Sequence, residues 1–180
     1  MMNEGPRPCV FFDRDGVVNR SPGEGYVLTR EQFELNEGIA EALRLVHQKG
    51  ALAILVTSQK GVGKGLLTRG DLERIHKHMN DLLIAAGGPA FDAIFIHTGE
   101  GPDDLPQKPD PGMIFAAAER FPIDLRLSWM IGDADRDIAM GQAAGLAGTI
   151  RIPGEKTIGV EATHTLESTT EIPNLLESIL

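Results

Sequence analysis

The chain has a single cysteine, Cys9, so it cannot close an internal disulfide. A reducing, cytoplasmic setting suits it best. It also lacks any apolar run long enough to cross a membrane, because runs such as Ala51 to Val56 are only strand-sized. No basic stretch followed by an apolar one opens the chain, so no export signal is expected. Cations are scarce: 17 Lys and Arg stand against 26 Asp and Glu, for a formal net charge of −9. That deficit argues against nucleic acid and membrane surfaces as partners. It also means that any anionic substrate would need a locally positive site, built from a metal ion or a few placed Lys and Arg. Internal repeats and low-complexity segments are absent too, and 180 residues suit one domain with a full core.

What is present is an alternation of strand-like and helical patterns. Apolar runs at Pro8–Phe12, Ala51–Val56, Phe91–Ile96, Ser128–Ile131 and Ala147–Ile152 read as five buried strands. Between them, Ile39, Leu43 and Val46 recur at helical spacing before Gly50, a helix stop. Thr68 caps a second helix whose stripe is Leu72, Ile75, Met79, Leu82 and Leu83. Pro111–Arg120 and Asp135–Ala144 read as further helices, and after a weakly patterned tail from about Ile158 a last one spans Pro173–Leu180. Apolar strands separated by helices imply an α/β fold, a three-layer parallel sheet covered on both faces. Ligands of such sheets bind beyond the carboxyl ends of the strands.

Polar clusters fall at those ends. Asp13 and Asp15 follow the first strand two residues apart, so they can face one site, and Gly16 allows a sharp turn after them. Asp and Gly also end strands in ordinary turns. Three further clusters favour a site: Thr57-Ser58-Gln59 after strand two, Lys108 before the third helix, and Gly132-Asp133-Ala134-Asp135-Arg136-Asp137 after strand four. Together they suit phosphoryl transfer. A carboxylate can attack phosphorus as a covalent nucleophile, but it must approach an anion. Mg²⁺, held by Asp13 and Asp133, would remove that repulsion. Hydroxyls from Thr57 and Ser58 and the Lys108 ammonium would hold phosphoryl oxygens, while Asp15 would protonate the leaving oxygen and then activate water.

This order of motifs resembles the haloacid dehalogenase superfamily of phosphohydrolases, over about residues 8–152. Within it the chain is most similar to the capless group containing histidinol-phosphatase and D-glycero-D-manno-heptose 1,7-bisphosphate phosphatase. The carriers are Phe12-Asp13-Arg14-Asp15-Gly16-Val17-Val18-Asn19, Gly25-Tyr26-Val27, Val56-Thr57-Ser58-Gln59-Lys60-Gly61 and Lys108-Pro109-Asp110-Pro111-Gly112-Met113. The second and last of these favour the heptose enzyme. The resemblance implies a nucleophile at Asp13, an acid/base at Asp15 whose backbone carbonyl also meets the metal, phosphate binding by Thr57 and Lys108, and Mg²⁺ on Asp133 with Asp137 in support. It also implies a small phosphorylated metabolite as substrate, with histidinol phosphate or a range of sugar phosphates as alternatives.

The chain departs from the group's pattern in three places. Ser58 stands where Asn is usual, and Gln107 where Arg usually precedes the Lys. Many members hold a structural zinc on Cys-x-His and Cys-x-Cys; here the loop offers only His97, so no such zinc is expected.

Two other readings fail on residue positions. Gly61-Val62-Gly63-Lys64-Gly65 resembles a phosphate-binding loop, but Ser58 and Gly65 occupy two positions that such a loop needs filled differently. Lys60 and Lys64 remain candidates for the substrate's non-transferred end, with Gln59 beside them. A signalling receiver domain would need an Asp after strand three, where this chain has Ile96-His97-Thr98. No insertion is long enough for a cap domain. The segment from Val17 to Leu35, with Arg20 and Tyr26, is the expected partial cover, and a homo-oligomer is one way to complete it. His47, His76, His78 and His164 are expected at the surface, Trp129 and Cys9 in the core.

Overall fold

Six parallel strands lie side by side in the computed structural model, which describes residues 5–154 and 159–180. Ile158, near which the weakly patterned tail begins in the sequence, is outside the described residues. In chain order the strands are β1 (Cys9–Phe12), β2 (Leu52–Ser58), β3 (Ala93–His97), β4 (Trp129–Gly132), β5 (Gly148–Arg151) and β6 (His164–Thr165). Their spatial order is β3-β2-β1-β4-β5-β6. The helices are α1 (Ile39–Gln48), α2 (Arg69–Ala85), α3 (Gly112–Arg120), α4 (Asp135–Ala143) and α5 (Ile172–Ile179).

The sheet is buried on both faces because its central strands are apolar throughout. Alternate residues of β1 divide between two cores. Val10 and Phe12 pack with α1, α2 and α5 through Leu43, Ile75, Met79 and Leu176. Cys9 and Phe11 pack with α3 and α4 through Met113, Ile114 and Met140. Burying each phenylalanine stabilises the fold by roughly 1.5–3 kcal/mol. The expected three-layer architecture is thus the one observed, and Cys9 is a packing residue.

Two features differ from expectation. β6 was not anticipated, because its two residues, His164 and Thr165, carry no apolar signal; it forms as an edge paired to β5. Trp129 is only partly buried, with His164 facing its ring at 5.7 Å between centroids.

The strand order positions the site. From β1 the chain steps outward to β2 and β3, then returns to β4 on the other side of β1 and steps outward again. The loops beyond β1 and β4 therefore diverge, which opens a crevice at their carboxyl ends. Asp13 follows β1 and Asp133 follows β4.

Candidate active site

The backbone after β1 is held by its own hydrogen bonds. The Asp13 N–H donates to the Ile131 carbonyl at 2.9 Å, extending the ladder with β4 by one residue. The Arg14 carbonyl then accepts from the N–H groups of Val18 and Asn19, at 2.8 and 3.1 Å, closing a tight turn. Gly16 sits in this turn at φ +91°, and a Cβ there would collide with the Asp133 carboxylate. Likewise, a Cβ at Gly132 would strike the Asp137 side chain. These two glycines let β1 and β4 bring their carboxylates together.

At the bottom of the crevice lies a buried ionic triad. Lys108 Nζ donates to Asp13 Oδ1 at 2.6 Å and to Asp137 Oδ1 at 2.7 Å, and the three side chains are 5% exposed or less. Asp137 Oδ2 also accepts the Ala134 N–H at 3.1 Å, tying it to the start of α4. Burial first, then the neighbouring Asp137, pushes the Asp13 carboxyl up to about 7, against the opposing pull of Lys108. Burial depresses the Lys108 ammonium, but Asp13 and Asp137 more than reverse that and hold it above its ordinary value. Carboxylate oxygens of Asp13, Asp133 and Asp137 lie within 4.8 Å of one another.

Asp15 points elsewhere. Its carboxylate accepts from Arg14 Nε and Nη2, at 3.2 and 3.0 Å, from Asn19 Nδ2 at 3.0 Å and from Gln59 Nε2 at 3.0 Å. Burial pushes this carboxyl up, but Arg14, Asn19 and Gln59 together hold it below the usual range. Gln59 Nε2 also reaches Thr57 Oγ1 at 2.8 Å. The structure thus brings Asp13, Lys108, Asp133 and Asp137 into one cluster and joins Asp15 to Thr57 through Gln59. The Asp15 side chain is not part of the carboxylate cluster.

Beside the triad opens a cleft of about 360 Å³, lined by Asp15, Ser58, Gln107 and Asp133 together with the segment Ser21–Tyr26. Ser58 Oγ is buried without a hydrogen-bond partner. Of the expected substrate contacts, Tyr26 and Lys60 line the cleft. Three expected substrate contacts do not. Gln59 is 2% exposed and spent on Thr57 and Asp15. The Arg20 side chain is turned to solvent against Glu34, at 3.2 Å. Lys64 lies outside the lining with its ammonium over the Tyr26 ring, 5.2 Å from the centroid.

Arg136 lines the cleft and was not singled out from the sequence. It stands between Asp135 and Asp137 in the acidic first turn of α4. Neither Arg136 nor Lys60 has an ion-pair partner among the described residues.

His76 is a clear correction. Expected at the surface, it is 6% exposed and its Nε2 lies 3.2 Å from Arg14 Nη1. Burial first, then the adjacent guanidinium, lowers its pKa to about 3.

The loop before Lys108 is ordered by a carboxylate. Asp104 Oδ2 accepts the N–H groups of Thr98 and Gly99, at 2.7 and 2.6 Å, while His97 Nδ1 donates to the Leu105 carbonyl at 2.7 Å. Arg69 and Glu100 add an ion pair across it.

Comparison with known proteins agrees with this geometry. Residues 106–174 match the family model described as HAD-hydrolase-like. The chain is 37% identical to the D-glycero-beta-D-manno-heptose-1,7-bisphosphate 7-phosphatase of Rhodopseudomonas palustris, across 83% of this chain and 85% of the relative. It is also 37% identical to the D-glycero-alpha-D-manno-heptose-1,7-bisphosphate 7-phosphatase of Burkholderia mallei, across 80% and 79%. Among solved structures, D,D-heptose 1,7-bisphosphate phosphatase from B. bronchiseptica, complexed with magnesium and phosphate, superposes with a TM-score of 0.84. That pair shares 30% identity and covers 96% of this chain and 99% of the other. With this degree of likeness over nearly its whole length, and with the strand-end carboxylates of β1 and β4 facing one crevice, the chain belongs to the haloacid dehalogenase-like hydrolases, among their phosphatases.

Proposed function

We propose that this phosphatase removes the 7-phosphate of a D-glycero-D-manno-heptose 1,7-bisphosphate, with Mg²⁺, through an aspartyl-phosphate on Asp13. The observation that carries the reading is the Asp13–Lys108–Asp137 triad beside Asp133, next to a cleft lined by Lys60 and Arg136, which have no ion-pair partner among the described residues. Relatives named for both the alpha and beta heptose bisphosphates match the chain at 37% identity, so either anomer is a candidate substrate.

The residues divide the work as follows. Asp13 attacks phosphorus as the ester P–O bond breaks, and the departing oxygen takes a proton from Asp15. Water then attacks the phosphorus of the aspartyl-phosphate while Asp15 accepts its proton, and the P–O bond to Asp13 breaks. Lys108, with Thr57 and the partnerless Ser58 Oγ, holds the phosphoryl oxygens. Arg14, Asn19 and Gln59 favour the basic form of Asp15, which suits the second step; an incoming phosphate, adding like charge beside it, raises its pKa for the first. Asp13 and Asp133 offer oxygen donors only, a set that fits Mg²⁺, and the Asp15 carbonyl would add another. When bound, the ion supplies positive charge that offsets the repulsion between carboxylate and phosphate.

The same cleft suits a second phosphate as well. Lys60 and Arg136 supply the local positive charge that a protein of net charge −9 needs. Arg136 then does what the missing Arg at position 107 cannot.

Phosphate release should be measured across both heptose bisphosphate anomers, sugar monophosphates, histidinol phosphate and nucleotides, with Mg²⁺ or EDTA. The expected result is Mg²⁺-dependent turnover with highest kcat/KM on a bisphosphate, and a KM for it raised about tenfold or more by Arg136→Ala, the loss of one charge-assisted contact. A flat profile would replace the heptose reading with a generalist phosphatase.

Mg²⁺ should also stabilise the fold in a pH-dependent way. Asp13 has a folded pKa raised to about 7, so its contribution is complete below the unfolded carboxylate pKa and is lost as pH rises through 7. Above 7 a cation relieves that loss. Saturating Mg²⁺ should therefore raise Tm by roughly 5–10 °C at pH 8, and clearly less at pH 5.5. Equal shifts at both pH values would contradict a metal held by Asp13.

A further inference from the structure

Asp15 does not stand alone. Behind it the Arg14 side chain is fully buried, with Nε and Nη2 on the Asp15 carboxylate and Nη1 turned the other way, toward α2. There it meets His76 Nε2 at 3.2 Å, the only other polar side chain it contacts among the described residues. A guanidinium can only donate, so Nε2 must present its lone pair and the ring proton must sit on Nδ1. The ring is neutral, as its low pKa also requires. His76 rides on α2 between Leu72, Ile75, Met79 and Leu83, all buried against the sheet, so its ring is fixed by the core and not by the cleft.

We propose that His76 is a positioning residue, which through Arg14 fixes the Asp15 carboxylate for proton transfer. The guanidinium is a rigid planar fork. Anchored at Nη1, it presents its Nε/Nη2 edge to Asp15 in one orientation. Without that acceptor a buried donor is left unpaired, and the fork turns to satisfy it. Asp15 turns with it, while Asn19 and Gln59 hold only its oxygens' other lone pairs. The chain from α2 to the catalytic loop thus couples a residue that touches no substrate to the proton on the leaving oxygen. The proposal rests on the reading of Asp15 as general acid and base.

The test uses the dependence of proton transfer on the leaving group. An alkoxide leaves poorly unless protonated, whereas an acidic phenolate such as p-nitrophenolate needs no acid. The measured quantity is kcat/KM, which reports transfer of the phosphoryl group to Asp13, on a sugar phosphate and on p-nitrophenyl phosphate. Asp15→Asn should lose far more on the sugar phosphate than on the aryl ester. His76→Leu should show the same split, at least tenfold greater loss on the sugar phosphate. His76→Gln, whose amide oxygen can accept from Nη1, should recover most of it. Arg14→Lys, which keeps the buried charge but cannot reach both partners, should behave like His76→Leu and serves if that variant does not fold. A split in Asp15→Asn with equal losses on both esters in His76→Leu and Arg14→Lys would show a merely structural role and overturn the proposal alone. No split in Asp15→Asn would overturn the acid/base reading of Asp15 itself, and the proposal with it.

Discussion

Asp13→Asn should lower kcat by about 10⁴-fold or more on every substrate, as removal of a nucleophile does in enzymes that work through a covalent intermediate. The Asn amide is isosteric, so the effect isolates chemistry from shape. Its oxygen is neutral and its nitrogen lone pair is delocalised, so neither attacks phosphorus. Asp13→Glu should do nearly as badly, because one extra methylene displaces the attacking oxygen by more than the roughly 1 Å that already costs about 10²-fold.

The fold should survive Asp13→Asn. Asp13 sits among Asp133 and Asp137, and burial drives its carboxyl up to about 7, so a neutral side chain there relieves repulsion. Lys108 keeps Asp137 and can still be accepted by the amide oxygen. Substrate affinity should be kept as well. The variant is therefore expected to melt at or above the parent's Tm at pH 8, to bind substrate, and to give no burst of product. Residual activity above about 1% of the parent would sink the covalent mechanism, since water attacking directly is not expected to reach it.

Asp13 and Asp133 were legible in the sequence because each follows a strand whose apolar run is unbroken. Phe11-Phe12 before Asp13 and Met130-Ile131 before Gly132-Asp133 mark buried parallel strands, and the topology of such sheets delivers their ends to one edge. Lys108 was legible only through its company, since Lys before Pro normally reads as a loop charge. Side-chain direction was not legible. Asp15 and Gln59 lie near the expected site, yet one turns to Arg14 and the other turns inward to Thr57, because the buried guanidinium and hydroxyl need partners more than the cleft does. His76 was misplaced for the same reason. On α2 it follows Ile75 of the apolar stripe, and only the presence of a buried Arg14 beneath it, 62 positions away, makes a histidine acceptable there. Nothing local in the sequence of α2 announces that partner. β6 escaped notice because two polar residues acquire strand geometry only from their neighbour β5.

Lys108→Met should be the most damaging substitution for stability near the site. Met conserves most of the stem's volume, so the change removes charge and little packing. It leaves two buried carboxylates, Asp13 and Asp137, facing each other where an ammonium bridged them at 2.6 and 2.7 Å. Removing one partner of a buried ion pair costs about 3–5 kcal/mol, which for a chain of this size corresponds to roughly 6–20 °C in Tm. The sign with pH follows from Asp13. Lys108 is the neighbour that pulls this carboxyl down; without it the folded pKa moves further above the unfolded value. A group raised in this way stabilises the fold fully below its unfolded pKa and loses that contribution as pH climbs through the folded one. The deficit should therefore be largest at pH 8 and shrink by pH 5, where Asp13 takes a proton. Mg²⁺ should restore part of the lost Tm at pH 8 by replacing the missing cation between the carboxylates. It should not restore turnover, because the proposed function also has the ammonium hold the phosphoryl oxygens, a contact whose loss costs about 10²–10³-fold. A variant that melts with the parent at pH 8 would show that the triad contributes nothing to the fold. A variant rescued in both Tm and activity by Mg²⁺ would show that Lys108 serves only to balance charge.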